Sequence, residues 1–314
     1  MILVAGGTGR LGTLLVRRLA DRGEQVRVLT RDPARTAHLP ATIELLAGDL
    51  GDPAAAAEAV AGCTTVVSAV HGFAGPGKPS PEAIDRDANR ALIQAAAAAG
   101  VGHLVLVSVL DAAPDHPMSL HRAKHAAEQA LRTSGLPWTI IRPAAYLETW
   151  AGIVGAKLAA KGQAVAFGPG RNPINFVSAH DVAALVDLAV HDPTLRGQVL
   201  EVAGPENLTF TELAERLIAA SGQPGRIRHI PLPVLRAMSV LARPVSPTFA
   251  RQAQAAVVMN TTDMTADVTG IRDRFHTVAA TTLDEALSRR PGARTDATDR
   301  AGAPASPSAE PPVS

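Results

Sequence analysis

Short runs of β-branched residues alternate with alanine- and leucine-rich stretches through the first half of the chain. This alternation is typical of βαβ units, in which helices connect parallel strands. It predicts an α/β fold with a Rossmann-type, doubly wound parallel sheet, whose ligand lies at the carboxyl ends of the strands. The strands are predicted at 2–5, 25–30, 43–46, 64–70, 104–109 and 138–142, and the helices at 10–22, 53–61, 84–99, 120–134 and 147–161.

The alternation loosens after about residue 150. Short strands at 175–177 and 199–202 are predicted to flank a helix at 181–190. They are followed by a helix at 209–221, capped by Thr209 or Thr211, and by further helices within 231–259. We expect these elements to form a smaller lobe that covers the substrate, so that residues 1–290 make one domain with a lobe from about residue 151. The segment 291–314 has five prolines and almost no large apolar residue, which predicts a disordered tail.

Composition narrows the possible functions. The 314 residues include 30 Lys plus Arg and 29 Asp plus Glu, a net charge of +1 that predicts neither nucleic acid nor an anionic membrane as a partner. The chain has no apolar run of the roughly 20 residues that a spanning helix needs, and it opens on a strand instead of a signal peptide, so we expect a cytoplasmic protein. The single cysteine, Cys63, is expected to pack as a small apolar residue, and no residue spacing predicts a metal site.

The first strand leads directly into the sequence GGTGRLG and an amphipathic helix. Glycines spaced by three at this point permit a tight turn, close approach of the backbone to a pyrophosphate, and close packing of the helix on the strand. The context therefore predicts a dinucleotide site with the phosphates at the helix N-terminus. The predicted cofactor contacts in this loop are Gly6, Thr8, Gly9, Arg10, Leu11 and Gly12.

The end of the second strand indicates which dinucleotide binds. Enzymes that select NAD place an acidic residue about 20 residues after the loop, whereas those that select NADP use an arginine for the 2′-phosphate. Here Thr30 stands where the acid is expected and Arg31 follows it. NADP(H) is therefore favoured over NAD(H), although Asp32 could pair with Arg31.

Four segments together resemble the NmrA-like, atypical branch of the short-chain dehydrogenase/reductase superfamily. They are GGTGRLG, LTRDPAR, GDLGDP and LRTSGLPWTIIRPAAYLE, and the resemblance covers about residues 1–220. It implies adenine contacts from Asp49 and Leu50, although Asp49 serves equally well as a turn residue. It further implies that Ala69 and Val70 line the edge of the cofactor at the fourth strand, that the segment from Pro143 to Tyr146 approaches the nicotinamide, and that Lys124 lies at the nicotinamide ribose.

Active members of that superfamily typically use a tyrosine as proton donor with a lysine four residues later, which places both groups on one helix face. In this chain Leu120 stands four residues before Lys124, and the only tyrosine, Tyr146, is followed four residues later by Trp150. The pair is therefore absent. The remaining catalytic candidates are Ser108, which could orient a substrate carbonyl or serve as a turn residue, and His121 or Lys124 as a general acid.

Three functions fit these observations. The first is NADPH-dependent reduction of a quinone, an enone or a similar small molecule, which needs no strong protein acid. The second is a non-catalytic NADP(H) sensor that signals to a protein partner through a mobile lid at 71–79, a segment with three glycines and two prolines. The third, a nucleotide-sugar epimerase or dehydratase, is disfavoured because such enzymes normally rely on the Tyr–Lys pair.

Overall fold

The structure is a computed structural model that describes residues 1–72, 80–266, 274–275 and 278–288. Most of the expected lid, at 73–79, and the expected tail, at 291–314, lie outside the described residues. The strands are β1 Ile2–Ala5, β2 Val26–Thr30, β3 Glu44–Ala47, β4 Thr65–Ser68, β5 His103–Val107, β6 Trp138–Pro143, β7 Ala145–Tyr146, β8 Gln163–Phe167, β9 Ile174–Val177, β10 Gln198–Val202, β11 Asn207–Leu208 and β12 Arg226–Ile230.

Helices fill the connections between the strands. The α-helices are α1 Arg10–Asp21, α2 Pro53–Val60, α3 Asn89–Ala98, α4 Ser119–Arg132, α5 Leu147–Val154, α6 Leu158–Lys161, α7 Ala179–His191, α8 Phe210–Ser221, α9 Leu232–Leu241, α10 Pro247–Thr261 and α11 Leu283–Ser288. A π-helical segment, Glu82–Ala88, runs directly into α3. None of the helices in the described part of the chain is long and apolar enough to cross a membrane.

Seven parallel strands form the central sheet, in the order β10-β6-β5-β4-β1-β2-β3. The order reverses between β1 and β4, which is the doubly wound arrangement predicted from the alternation of elements. Side chains of β1 alternate between the two faces of the sheet, with Ile2 and Val4 in one buried cluster and Leu3 and Ala5 in another. Both faces are therefore covered, as parallel sheets require. Cys63 is buried in the second cluster, as predicted.

Two elements differ from the predicted division of the chain. The expected lobe included the helix now defined as α7 and the strand now defined as β10. Instead, β10 pairs with β6 as the seventh strand of the central sheet, and α7 packs against α1. Because β10 is short, its sequence alone does not reveal which sheet it joins. The pairing partner decides this, and that partner lies about 60 residues away.

The remaining elements form a second lobe over the carboxyl edge of the sheet. It contains a three-stranded sheet, β11-β9-β7, and a two-stranded sheet, β12-β8, with α5, α8 and α10 packed on them. Strands β8 and β12 were not predicted. Helices α5 and α6 were predicted as one helix, which the structure interrupts at 155–157. The predicted cap of α8 is Thr209, which forms a capping box with Glu212.

Candidate functional site

A cleft opens at the carboxyl ends of β1, β4, β5 and β6, between the central sheet and the second lobe. One end borders the glycine loop, and the other is bounded by apolar side chains of the lobe. Of the residues predicted for the site, the cleft is lined by Gly9, Arg10, Leu11, Gly12, Ala69, Val70, Ser108, His121, Lys124, Pro143 and Tyr146. Thr8 lines a neighbouring cleft. Gly6, Arg31, Asp49 and Leu50 lie outside both linings.

The glycine loop is packed tightly between β1, α1 and β4. Gly6 has a φ of +84°, and a Cβ atom there would lie 2.7 Å from the carbonyl oxygen of Ala69. A Cβ atom on Gly12 would collide with the carbonyl oxygen of Gly6. The first turn of α1 contains no acidic side chain, and its cap residue is Gly9. The free N–H groups at the start of α1 therefore border the cleft in the arrangement that binds phosphate.

At the end of β2, the Arg31 side chain is exposed. The carboxylate of Asp32 accepts a hydrogen bond from the backbone N–H of Ala34, 3.1 Å away, and caps the short helical turn Pro33–Thr36. The backbone N–H of Asp32 in turn donates to the hydroxyl of Thr30. Asp32 thus has a structural role, and no ion pair between Arg31 and Asp32 occurs among the described side chains. The guanidinium of Arg31 is left available to a ligand.

The two residues implied as adenine contacts have structural partners after β3. The Asp49 carboxylate accepts a hydrogen bond from the backbone N–H of Gly51, 2.9 Å away, so the turn role is present. Leu50 is only 8% exposed and packs in the cluster beneath α2 and α3. Little of the Leu50 side chain is therefore accessible to a ligand. The second carboxylate oxygen of Asp49 accepts no hydrogen bond from the described residues and is the more accessible of the two predicted adenine contacts.

Lys124 is buried on the inner face of α4, with 3% of its side chain exposed. Its Nζ donates hydrogen bonds to the carbonyl oxygens of Val70 and Val107, each at 2.8 Å, and lies 3.0 Å from Oδ1 of Asp85. An ammonium has three N–H donors, and two of them are bonded to these carbonyl oxygens. The contact with Asp85 is an ion pair, and Oδ1 of Asp85 accepts no hydrogen bond among the described residues. Lys124 thereby joins the carboxyl ends of β4 and β5, and one of its donors is left for a ribose hydroxyl.

Asp85 was not predicted as a site residue. It is fully buried in the π-helical segment, and its Oδ2 accepts a hydrogen bond from the backbone N–H of Gly72 at 2.7 Å. Asn89, one residue beyond that segment, donates to the Asp85 carbonyl oxygen at 2.9 Å and accepts a hydrogen bond from the hydroxyl of Ser68. Turns of π-helix occur frequently at functional sites. Here the segment directs a carboxylate towards Lys124 and fixes the chain at Gly72.

The hydroxyl of Ser108 donates to Oε1 of Glu128, 2.5 Å away. Glu128 is completely buried and also accepts two hydrogen bonds from the Arg142 guanidinium, at 2.9 and 2.7 Å. The hydroxyl hydrogen of Ser108 is thus directed at a carboxylate and cannot also be donated to a substrate carbonyl. The orienting role predicted for Ser108 is not supported by this geometry, and its hydroxyl makes no turn or cap hydrogen bond among the described residues either.

His121 is 5% exposed, and its ring stacks on that of His116 with the centroids 3.8 Å apart. Burial, assisted by the neighbouring His116, lowers the pKa of His121 to about 3. The imidazole is therefore neutral near pH 7, whereas the predicted general acid would have to be an imidazolium. The structure does not support that role. The His121 ring instead forms part of the cleft wall beside Met118.

The buried histidines are expected to make the fold sensitive to acid. Because the pKa of His121 in the folded state is below its ordinary value of about 6.5, the unfolded chain binds the proton first, and stability decreases as the pH falls from about 6.5 towards 3. We expect His121→Gln to shift the midpoint of acid unfolding, followed by circular dichroism, to lower pH. His38→Gln is the control, because His38 is exposed. Equal midpoints for the two variants would contradict this assignment.

Tyr146 lies at the start of α5 and lines the cleft. Burial, together with the neighbouring Glu148, raises the pKa of the Tyr146 phenol above its usual value of 10. The phenol therefore keeps its proton at physiological pH and is a weaker acid than an ordinary tyrosine. The aromatic ring of Trp150, not an ammonium, stands one helical turn away, so nothing lowers the phenol pKa as a lysine would.

The wall opposite the glycine loop is apolar, and the sequence analysis identified none of its residues. They come from four separate places, namely the start of α4, α5, α10 and the strand-like segment after α10, so no local motif marks them. Asp111, whose φ is +58°, follows β5 at this end of the cleft. The apolar residues of this wall are Met118, Leu120, Trp150, Ala255, Met259 and Met264. The described residues contain no group of three or more His, Cys, Asp or Glu side chains that could hold a metal ion.

Comparison with known proteins gives consistent results. Residues 6–193 match the model of a family described as NAD(P)H-binding. The chain is 33% identical over 260 residues to a (4-alkanoyl-5-oxo-2,5-dihydrofuran-3-yl)methyl phosphate reductase of Streptomyces griseus, covering 81% of this chain and 86% of that one. It is 32% identical to an NAD(P)H azoreductase of Xenophilus azovorans, covering 74% and 78% of the two chains.

A solved structure shows the same architecture with cofactor bound. The NADPH complex of an NADPH-dependent quinone oxidoreductase from Escherichia coli superimposes with a TM-score of 0.74 and 26% identity, covering 92% of this chain and 99% of that one. The predicted Rossmann-type fold, an NAD(P)H cofactor and the class of NAD(P)-dependent oxidoreductase are confirmed, and the predicted superfamily is supported. The chain belongs to the NAD(P)H-binding family whose model it matches.

Proposed function

We propose that this chain uses NADPH to reduce an apolar, uncharged acceptor such as a quinone or an enone. One observation carries the proposal: a single cleft runs from the glycine loop to a wall of methionine, leucine and tryptophan side chains. The first end has the N–H groups that a pyrophosphate needs, and the second has the apolar surface that a flat organic acceptor needs. Bound NADPH would supply a hydride to the acceptor between these two ends.

The residues around the glycine loop fit this cofactor. The close contacts at Gly6 and Gly12 leave room for backbone but not for side chains, and Arg10 and Arg31 are exposed cations on either side of the loop. We assign the 2′-phosphate to Arg31, because Asp32 is engaged elsewhere. The contacts proposed further along the cofactor are Thr8, Gly9 and Leu11 at the phosphates, Asp49 and Leu50 near the adenine, and Ala69, Val70, Pro143 and Tyr146 near the nicotinamide.

Lys124 is proposed to shape the nicotinamide end through the strand termini that it holds. Its hydrogen bond to the Val70 carbonyl fixes the backbone that borders the cleft. Contact of Lys124 with the ribose, implied by the family resemblance, would use the one N–H donor that is not bonded to a carbonyl oxygen. We therefore assign two roles to Lys124, positioning of the strand ends and contact with the ribose.

The chain's proton chemistry limits the choice of acceptor. Among the groups discussed for this role, Ser108 donates to Glu128, His121 is neutral, and the phenol of Tyr146 holds its proton tightly. The Lys124 ammonium, the other candidate acid, is held by two carbonyl oxygens and paired with Asp85. A ketone that becomes an alkoxide needs a strong acid, whereas a quinone or an enone forms a stabilised anion that water can protonate. The cleft therefore suits acceptors whose reduced form tolerates slow protonation.

The charge at the apolar end favours an uncharged acceptor. In the described part of the cleft, the cations are Arg10, which lies at the glycine loop, and Lys124, whose charge is paired with Asp85. The Asp111 carboxylate lies at the acceptor end, where it would repel an anion. We infer that an acceptor bearing a phosphate, as named for the Streptomyces reductase, is disfavoured in this chain.

A panel assay tests the proposal. Purified protein is mixed with NADPH and with quinones, enones and phosphate-bearing enones, and the loss of nicotinamide absorbance is followed. We expect turnover with the uncharged compounds and at least about tenfold lower kcat/KM with the phosphorylated ones, a difference that Asp111→Asn narrows. Tight NADPH binding without turnover across the panel would overturn the proposal and favour the sensor function.

Four finer assignments belong to the same proposal. We infer membership of the NmrA-like branch from the four matching segments, and a substrate-covering role for the lobe from the apolar wall that α5 and α10 supply. A cytoplasmic location is also proposed. A small-molecule substrate is the partner that this chemistry requires.

A further inference from the structure

The charges of the chain are unevenly distributed. Across 217–262 there are five arginines and neither aspartate nor glutamate, although the whole chain has a net charge of only +1. This segment contains β12, α9 and all of α10. Its side chains Arg226, Arg228, Arg236 and Arg243 are exposed. The lobe therefore presents a basic surface that the balanced total charge conceals.

The same segment exposes large apolar side chains. Val240 is 56% exposed, Leu241 is 74% exposed and Val245 is 85% exposed, and Val234 and Phe249 are exposed as well. Single exposed apolar residues are common, but five within sixteen residues of sequence make a patch that usually marks an interaction surface. The remaining large apolar residue with comparable exposure among the described residues is Leu45, on β3.

The winding of α9 collects these side chains on one face. At about 100° per residue, Val234, Val240 and Leu241 fall within about 120° of one another, and Arg236 borders that arc. Leu235, on the opposite side, is buried against the rest of the lobe. Helix α9 packs against α10, whose residues Ala255 and Met259 line the cleft. One helix pair therefore separates the basic, apolar surface from the proposed acceptor site.

We propose that the outer surface of α9 and the start of α10 docks on an anionic membrane. Arginines beside an exposed apolar arc match a bilayer surface, where lipid phosphates lie next to acyl chains. An acidic protein would satisfy the arginines, but it would have to supply an apolar groove for Leu241 and Val245 as well. The net charge of the whole chain predicted no anionic membrane as a partner. The docking proposal differs from that prediction because it rests on the local charge of 217–262.

The docking proposal stands on the surface alone and does not depend on the proposed reaction. If both hold, the arrangement brings the apolar end of the cleft close to the phase in which apolar acceptors dissolve. The orientation of the cleft relative to the membrane follows from α10. This helix contributes to the cleft wall, and its first turn carries the exposed Phe249.

Vesicle flotation of the full chain tests the proposal without any cofactor. Vesicles of phosphatidylcholine are compared with vesicles in which phosphatidylglycerol replaces part of it. We expect the protein to float with the anionic vesicles and not with the neutral ones, and the bound fraction to fall as salt is added. No flotation with anionic vesicles at low ionic strength would overturn the proposal, and capture of an acidic protein instead of lipid would count against it in the same way.

Matched variants locate the surface. We expect Arg236→Glu with Arg243→Glu to weaken vesicle binding about tenfold or more, whereas Arg90→Glu with Arg196→Glu, the same charge change at exposed positions elsewhere, retains most of it. Leu241→Ser with Val245→Ser should also weaken binding, and Leu45→Ser should not. Equal losses for the two arginine pairs would overturn the assignment to α9. Vesicle flotation does not depend on NADPH oxidation. A negative flotation result therefore rejects membrane docking without bearing on the proposed reductase activity.

Discussion

Replacing Lys124 with methionine is expected to destabilise the fold by about 3–5 kcal/mol, because the substitution leaves Asp85 buried without its cation. The carboxylate of Asp85 is fully buried, 3.0 Å from Nζ, and its other oxygen is bonded to the backbone of Gly72. Methionine has nearly the volume of lysine, so loss of packing contributes little. Urea unfolding of the two proteins measures the difference.

A double-mutant cycle separates this ion pair from its surroundings. The variant carrying both Lys124→Met and Asp85→Asn removes both charges, and we expect it to recover at least half of the stability lost in Lys124→Met. Exposed Lys161, on α6, provides the control as Lys161→Met, which should change stability by less than about 0.5 kcal/mol. Additive effects of the two buried substitutions would show that Lys124 and Asp85 do not stabilise each other.

Kinetics of the same double variant distinguish the two roles of Lys124. If Lys124 mainly holds the ends of β4 and β5, the stabilised double variant should keep its KM for NADPH within about tenfold of the parent. A rise in KM of about a hundredfold, with the fold intact, would instead assign Lys124 to the ribose. Because stability and the KM for NADPH are both measured on this double variant, a change in KM is not mistaken for unfolding.

Arg31→Ala is expected to weaken NADPH binding by about 10- to 100-fold while leaving NADH binding within about twofold. A guanidinium and a phosphate form charge-assisted hydrogen bonds worth roughly 1.5–3 kcal/mol, and NADH lacks the 2′-phosphate. Because Asp32 caps the turn after β2, it does not compete for Arg31. Dissociation constants from titration of nicotinamide fluorescence give both numbers.

Arg17→Ala serves as the control for this comparison, since Arg17 lies on α1 but is bonded to the carbonyl oxygen of His38. We expect that variant to bind both cofactors nearly as the parent does. Equal weakening of NADPH and NADH in Arg31→Ala would reject the assignment of the 2′-phosphate. A loss of NADPH binding without a loss of NADH binding in Arg17→Ala would instead assign the 2′-phosphate to Arg17.

The central sheet was predictable because its signals are local. Each of the first six strands is a short β-branched run next to a helix pattern, and the glycine loop follows β1 directly. The lobe was harder to predict because the burial pattern of β12 carries little alternation, with three of its five residues exposed. Whether β10 joined the sheet or the lobe depended on a distant partner, which no local pattern reveals.

For the site, the sequence indicated the residue types but not their partners. Ser108, His121 and Lys124 do line the cleft, but their hydrogen bonds and burial give them roles different from those expected. A signal for Asp85 was present, because Asp85 and Asn89 are four residues apart and share a helix face with Leu92 and Ala96, which are buried. Polar residues at positions where the helix faces the core are uncommon and mark a buried polar network.

The π-helical segment before α3 has a consequence for how this site can change in evolution or design. Removing one residue from 86–88 while the segment rewinds to ordinary α-helix would place Asp85 three residues before Asn89 instead of four, which changes its height along the helix and its direction relative to Asn89. The carboxylate would then leave both Nζ of Lys124 and the N–H of Gly72. The site is therefore far more sensitive to a one-residue deletion here than to most single substitutions, and the length of this segment is part of its chemistry.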